Sequence, residues 1–365
     1  MHQTKICLIG NNLSNGGADK IHAILSNFFF SKNIDVHNVI ITDEITYDFS
    51  GKLLNLGKLK DNGNGLLNNL KRFLVLKKYI KQHNFDYIID VRARNNQLKE
   101  FLIAKMIYKV PYVVMIHSYN TDWYFPKNDF IAKNIFSNAY GIVCVSKEIE
   151  AKVKEKYGYK NLKTIYNPLE IDKIAVLSKE SIDLDFEYVL AAGRMVFDNN
   201  KQFDQMIKVY ATSRFPMKNI KLVLLGNGPQ KKYLQELAKS EDVEDKVVFL
   251  DFQKNPFKFI KRAKFTLLTS KHEGLPNIIT ESLACGVPVV SFDCKSGPKE
   301  LIENGKNGLL VKDQDFEEFM HAMNEMDQNE TLLATCKENA LESIQRFSVE
   351  KIGAEWLEYL KINNR

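Results

Sequence analysis

Thr269-Ser270-Lys271-His272-Glu273-Gly274-Leu275-Pro276-Asn277-Ile278-Ile279-Thr280-Glu281-Ser282-Leu283-Ala284-Cys285-Gly286-Val287-Pro288 is the stretch from which the rest of the chain can be read. A β-type run over residues 264–269 enters it, the loop Glu273-Gly274-Leu275-Pro276-Asn277 follows, and residues 278–285 carry a helical pattern. Gly286 supplies the expected stop, with Pro288 just beyond in a new β run over residues 287–291. The loop therefore joins the carboxyl end of a strand to the amino end of a helix. In open α/β sheets ligands gather at such places, and the free N–H groups of a first helical turn favour an anion such as phosphate.

Two carboxylates frame the loop, Glu273 before the helix and Glu281 about one turn inside it. At the rise of an α-helix they stand on the order of 10 Å apart. That span suits a nucleotide-sugar laid across the helix terminus, with one carboxylate on sugar hydroxyls, the other on the ribose diol and the diphosphate between. Taken singly, each glutamate reads as an ordinary loop residue or a helical residue paired with a lysine.

Strand-like runs alternate with helical ones along the whole chain, so the fold class is α/β with mainly parallel sheets. Residues 5–10 form the first strand, followed by N-N-L-S-N-G-G and a helical stretch over 18–30. This loop is not the G-x-G-x-x-G fingerprint, which disfavours a hydride-transfer cofactor. Gly16-Gly17 at the helix entrance either lets backbone approach a diphosphate or makes a plain tight turn. Across residues 66–83, Leu66, Leu70, Phe73, Leu74 and Ile80 fall near one face, with Lys71, Arg72, Lys77, Lys78 and Lys81 largely off it. The pattern predicts a sheet-covering helix with solvated lysines, and it is also compatible with an anionic membrane. Arg92 and Arg94 follow the strand over 86–89, where they could receive a phosphorylated or acidic acceptor or simply be solvated. Residues 112–116 read as a buried strand ending in His117-Ser118-Tyr119, with Asp122, Trp123 and Tyr124 on a loop beyond.

A polar stretch over residues 170–186 reads as a linker. The pair Asp183 and Asp185 inside it precedes a strand rather than ending one, and is not read as a metal site. Residues 188–192 open a second domain, with Gly193-Arg194 at the strand end and Lys201 seven residues later. A guanidinium fork and an ammonium can neutralise a leaving diphosphate without a metal, or can be two solvated cations. The strand-to-glycine pattern recurs at residues 222–229, including Gly228, and residues 247–252 form a strand ending near Phe252. From residue 347 an amphipathic helix carries Trp356, Leu357 and Leu360.

With 365 residues, 45% hydrophobic and 26% charged, the chain has room for two soluble domains with their own cores. Five scattered cysteines show no metal or redox spacing and suit a reducing cytoplasm. Met1 runs almost directly into a strand, so no signal peptide is expected, and no apolar run approaches a membrane-spanning length. Residues 1–168 hold 24 Lys+Arg against 14 Asp+Glu, and the remainder 27 against 31, so the first half is basic (+10) and the second mildly acidic (−4). The basic half suggests an anionic partner. Nucleic acid is disfavoured, because no binding motif appears and the cations are not interleaved with stacking aromatics.

The run E-G-L-P-N-I-I-T-E followed by S-L-A-C-G-V-P-V-V resembles the Glu-seven-residues-Glu motif of retaining GT-B glycosyltransferases, and as a whole is most similar to glycosyltransferase family 4. The resemblance covers most of the chain, densest over residues 189–311 and thin over 43–86. It implies a GT-B fold, two facing Rossmann-like domains with a donor cleft between them. The implied boundaries are an acceptor domain over 1–169, a linker over 170–186, a nucleotide-sugar domain over 187–346 and a helix over 347–365 crossing back to the first domain. Glu273, Arg194, Lys201 and His117 take the catalytic roles. Gly16, Gly17, Gly193, Gly228, Phe252, Gly274, Leu275, Pro276, Asn277 and Glu281 bind the donor, while Arg92, Arg94, Tyr119 and Asp122 face the acceptor.

The implied reaction moves a sugar, with retention, from a UDP-hexose or UDP-N-acetylhexosamine to a glycan or polyprenyl-diphosphate-linked acceptor in surface polysaccharide or lipopolysaccharide synthesis. No cofactor or metal is expected. The acceptor hydroxyl attacks on the leaving-group face without a carboxylate base. The expected location is cytoplasmic, peripheral on the inner face of the cell membrane. Two alternatives share the fold: a UDP-sugar epimerase, and a catalytically silent nucleotide-sugar-binding subunit. Retention of Arg194, Lys201, Glu273 and Glu281 together speaks against the second.

Overall fold

Short runs, apolar and buried on both faces in the central strands, build two parallel sheets in the computed structural model, which describes residues 3–14, 16–60, 65–94 and 96–362. In the first unit they are β1 (Lys5–Gly10), β2 (Asp35–Ile40), β3 (Lys52–Asn55), β4 (Tyr87–Asp90), β5 (Tyr112–Ile116), β6 (Gly141–Cys144) and β7 (Leu162–Thr164). They pair in parallel in the order β3-β2-β1-β4-β5-β6-β7. The second unit holds β8 (Tyr188–Ala192), β9 (Lys221–Leu225), β10 (Val247–Leu250), β11 (Thr266–Leu268), β12 (Val289–Phe292) and β13 (Gly308–Val311), also parallel, in the order β10-β9-β8-β11-β12-β13. Each order grows outward in both directions from one strand, so each sheet has a switch point, between β1 and β4 and between β8 and β11. Ligand-binding crevices of open α/β sheets form at such points.

The units comprise Met1–Pro168 with Val349–Arg365, and Leu169–Ser348. The chain thus returns to the first unit through the helix Val349–Tyr359. Trp356 in that helix is fully buried, edge-on to Phe29 at 6.5 Å between ring centres. Gly353 permits the approach, since a Cβ there would lie 2.2 Å from the Phe28 ring. Phe28 and Phe29 belong to α1 (Gly17–Ser31). The second core gathers Phe203, Tyr210, Phe215, Phe265, Phe292 and Phe319 around its sheet.

Two sequence expectations are corrected. Residues 170–186 are not simply a linker: they contain the helix Ile171–Leu177, which belongs to the second unit, buries Ile174 and is tied down by Asn255 Nδ2 donating to the Leu177 carbonyl (2.9 Å). A helix of seven residues that buries one side chain is too short to show a clear helical period. The second correction concerns α2 (Gly65–His83), whose inward face is Asn68, Leu76 and Ile80 rather than the Leu66–Leu70–Leu74 row. Leu66, Leu67, Leu70 and Leu74 are exposed, Leu66 at 80%. Apolar periodicity shows which residues share a helix face but not which way that face turns.

Candidate active site

The loops after β8 and β11 meet at the second switch point. Lys201 Nζ lies 2.6 Å from Glu273 Oε1, both side chains mostly buried. Gly193, at the end of β8, makes room for the lysine stem: a Cβ there would come within 3.0–3.3 Å of Lys201 Cγ, Cδ and Cε. Gly228 is placed against the Met195 carbonyl at φ +156, where a side chain would collide at 2.2 Å. Arg194 is exposed, and its guanidinium has no ion-pair or hydrogen-bond partner among the described residues.

Backbone and amide hydrogen bonds brace these loops. Thr269 Oγ1 donates to the Lys201 carbonyl (2.8 Å), and Gln202 Nε2 donates to the Thr269 carbonyl (2.6 Å). Asn200 Nδ2 donates to the His272 carbonyl (2.9 Å), while Lys271 N–H donates to the Asn200 carbonyl (2.9 Å). Gln202 is buried and left-handed (φ +52). A non-glycine residue in that region is costly and persists where its surroundings hold it. Asn200 and Gln202 were not anticipated, because neither their backbone angles nor these long-range bonds leave a trace in the sequence.

A third loop supports the glutamate. Glu273 N–H donates to the Lys295 carbonyl (2.7 Å), and Ser296 Oγ donates to the Gly274 carbonyl (2.9 Å). Gly297, at φ +101, packs where a Cβ would stand 2.5 Å from Pro276 Cδ. Pro276 caps the helix Asn277–Ala284 without any side-chain cap bond, so its first-turn N–H groups are not taken by a cap side chain. Leu275 and Glu281 are buried beside it, Glu281 on the helix. Phe252, past the end of β10, is 43% exposed, a flat apolar surface near the carboxyl edge of the sheet. An anion, with a planar group and hydroxyl-bearing rings attached, matches this set of groups.

In the first unit the candidates part ways. Arg92 and Arg94, expected toward an acceptor, are turned inward, and this corrects that expectation. Arg92 grips Asp90 (Nε–Oδ1 2.9 Å, NH2–Oδ2 2.7 Å) and Glu100 (2.9 Å), and the Tyr108 hydroxyl donates to Asp90 (2.8 Å). Burial raises the Asp90 carboxyl pKa, but Arg92 and Arg94 outweigh it and hold the group below the usual range. Arg94 donates to the carbonyls of Asp90 (3.1 Å) and Met115 (2.7 Å) and lies over the rings of Tyr124 and Phe136. An arginine following a strand reads the same whether it points out or in; the acids at 90 and 100 decide.

His117, at the end of β5, has a buried Nε2 with no hydrogen-bond partner. Burial first, and then the Arg94 charge, lower its pKa to about 3, so the imidazole is neutral. Tyr119 lies under Lys152 Nζ, 3.8 Å from the ring centre, and Lys152 donates to its carbonyl. Asp122 is exposed and pairs with Lys156 at 3.1 Å. Gly16 caps α1 and Gly17 begins it; a Cβ on Gly16 would meet the Asp19 carboxylate at 2.2 Å, so a carboxylate already lies against this helix start.

Two parallel-sheet α/β domains, with a charged switch-point site in the second, define the GT-B class. The model for "Glycosyl transferases group 1" matches residues 172–343, and that for "Glycosyltransferase Family 4" matches residues 55–173. The chain is 29% identical over 362 residues to the N-acetylgalactosamine-N,N'-diacetylbacillosaminyl-diphospho-undecaprenol 4-alpha-N-acetylgalactosaminyltransferase of Campylobacter jejuni, covering 96% of this chain and 97% of that one. It is 24% identical to the lipopolysaccharide 1,6-galactosyltransferase of Escherichia coli, covering 71% and 70%. Among solved structures, Anabaena HepE in complex with UDP and glucose superposes with a TM-score of 0.79 at 20% identity, covering 98% and 100%. TarM of S. aureus in complex with UDP gives 0.78 at 16%, covering 98% and 100%. The chain is a glycosyltransferase similar to those of family 4.

Proposed function

We propose that the enzyme transfers a hexose or N-acetylhexosamine from a UDP-sugar, with retention and without a metal, to a lipid-linked glycan. The observation that carries this is the juxtaposition of Arg194, Lys201, Glu273 and the uncapped helix start at Pro276-Asn277 around one switch point. Arg194 and Lys201 neutralise the departing diphosphate, and their two charges stand in for a divalent ion. Glu273 holds sugar hydroxyls, Glu281 the ribose diol, and Phe252 the base. Gly193 and Gly228 serve the donor indirectly, by seating the Lys201 stem and the Met195 carbonyl, while Gly274 and Leu275 let it approach the backbone. His117, neutral and with an unpartnered nitrogen, is suited to a sugar hydroxyl. Support for UDP comes from the UDP-bound neighbours, and support for the acceptor from relatives named for diphospho-undecaprenol and lipopolysaccharide substrates.

The acceptor reading extends to the membrane surface. Leu66, Leu70, Leu74, Lys77 and Lys81 are all exposed and follow one another at spacings of four, four, three and four, which is one face of α2. That face can seat its leucines among acyl chains and its lysines among anionic headgroups. No helix among the described residues is long and apolar enough to cross a membrane. Nucleotide release from UDP-, GDP- and ADP-sugars, with EDTA and with an undecaprenyl-diphosphate glycan acceptor, tests the donor reading. Release from one UDP-sugar, insensitive to EDTA and lost in Glu281→Ala, is expected; release from no UDP-sugar overturns it. Conversion of donor to an epimer without any acceptor would favour the epimerase alternative.

A further inference from the structure

Of the two cations assigned to the diphosphate, Arg194 is exposed and unpaired among the described residues, whereas Lys201 already holds a carboxylate at 2.6 Å. That carboxylate is Glu273, itself assigned to the donor sugar. Both side chains are largely withdrawn from water, at 21% and 13% exposure. The pair is held in place from both sides: Lys201 through its carbonyl bond to Thr269 and its stem over Gly193, Glu273 through its backbone bond to Lys295. While the pair is closed, Glu273 offsets the Lys201 charge and Glu273 Oε1 already accepts from Nζ, so each group offers a donor less than it would alone.

We propose that Lys201 and Glu273 form an exchange latch, closed in the empty site and opened by the donor. The inference rests on the donor reading given above. The diphosphate takes Lys201 from Glu273, and the released carboxylate accepts hydrogen bonds from the sugar hydroxyls. Once the sugar has moved to the acceptor, Glu273 has lost those hydroxyls and competes again for Lys201, which loosens the remaining UDP. The latch thus discriminates donor from product: UDP alone opens the pair without giving Glu273 a new partner, whereas the intact donor satisfies both groups.

The consequence runs against the usual effect of altering a binding-site residue, because removing the Glu273 charge strengthens the hold on UDP. Calorimetric titration of UDP into the full chain, as wild type, Lys201→Ala, Glu273→Gln and the double variant, tests this, with thermal melts confirming that each is folded. Lys201→Ala is expected to weaken UDP roughly tenfold, and Glu273→Gln to tighten it roughly three- to tenfold, as for a partly buried ion pair. In the Lys201→Ala background the Glu273→Gln gain should vanish.

If Lys201→Ala weakens UDP and Glu273→Gln does not tighten it, the latch fails while the donor site stands. A gain that persists without Lys201 also overturns the latch, since it would reflect simple repulsion between Glu273 and the diphosphate. No loss on Lys201→Ala overturns the donor reading itself. Should Glu273→Gln not fold, Glu273→Asp keeps the charge but draws it back from Lys201. A tighter hold on UDP is expected there too, and an unchanged one contradicts the latch.

Discussion

The two switch points share a strand order and place arginine after the strand, yet they use charge in opposite ways. At the first, between β1 and β4, Asp90, Arg92, Glu100 and Tyr108 close on one another out of reach of solvent. At the second, between β8 and β11, Arg194 faces water and Lys201 holds a partner that a ligand can displace. A buried ion network fixes its surroundings, while a half-satisfied one leaves electrostatic attraction for a visitor. The number of acids within reach sets which role an arginine plays: two for Arg92, none for Arg194 among the described residues.

The sharpest way to break the contrast is to exchange expectations. Arg92→Ala should cost about 3–5 kcal/mol of stability, because it strands Asp90 and Glu100 in the interior. A denaturant midpoint within error of wild type would show that the network is not buried as described. Arg194→Ala should leave that midpoint within about 0.5 kcal/mol, as expected of an exposed residue, yet lower kcat by about a hundredfold or more. Gly193→Ala brings a methyl against the Lys201 stem and should lower kcat roughly tenfold with little loss of stability, a factor worth about 1.4 kcal/mol.

A smaller effect separates the units by pH. His22 and His117, both in the first unit, are held below their ordinary pKa chiefly by burial, to about 4 and about 3. In the unfolded chain they take up protons that the folded chain refuses. Their contribution is therefore whole above about pH 6.5 and declines as pH falls toward those lower values. Melts of His117→Gln against pH should show a flatter acid limb than wild type; identical slopes would place the imidazole in water.

Alternating strands and helices, the G-L-P-N loop between its glutamates and the spacing of Arg194 and Lys201 were legible, because period, turn residues and charge are local properties. Orientation was not. Periodicity alone places the Leu66–Leu70–Leu74 row inward, and position after a strand places Arg92 and Arg94 outward. Both turned the other way, since burial depends on partners distant in sequence: Glu100 and Tyr108 for Arg92, the Met115 carbonyl for Arg94. Asn200 and Gln202 leave no sequence signal for the same reason, acting through backbone groups about seventy residues away.

Side-by-side assay of Arg92→Ala and Arg194→Ala, each for stability and for UDP release from the donor sugar, tests the central claim most directly. The account predicts that Arg194→Ala melts like wild type and releases UDP about a hundredfold more slowly, while Arg92→Ala loses stability first. Wild-type release rates from a folded Arg194→Ala enzyme would contradict it.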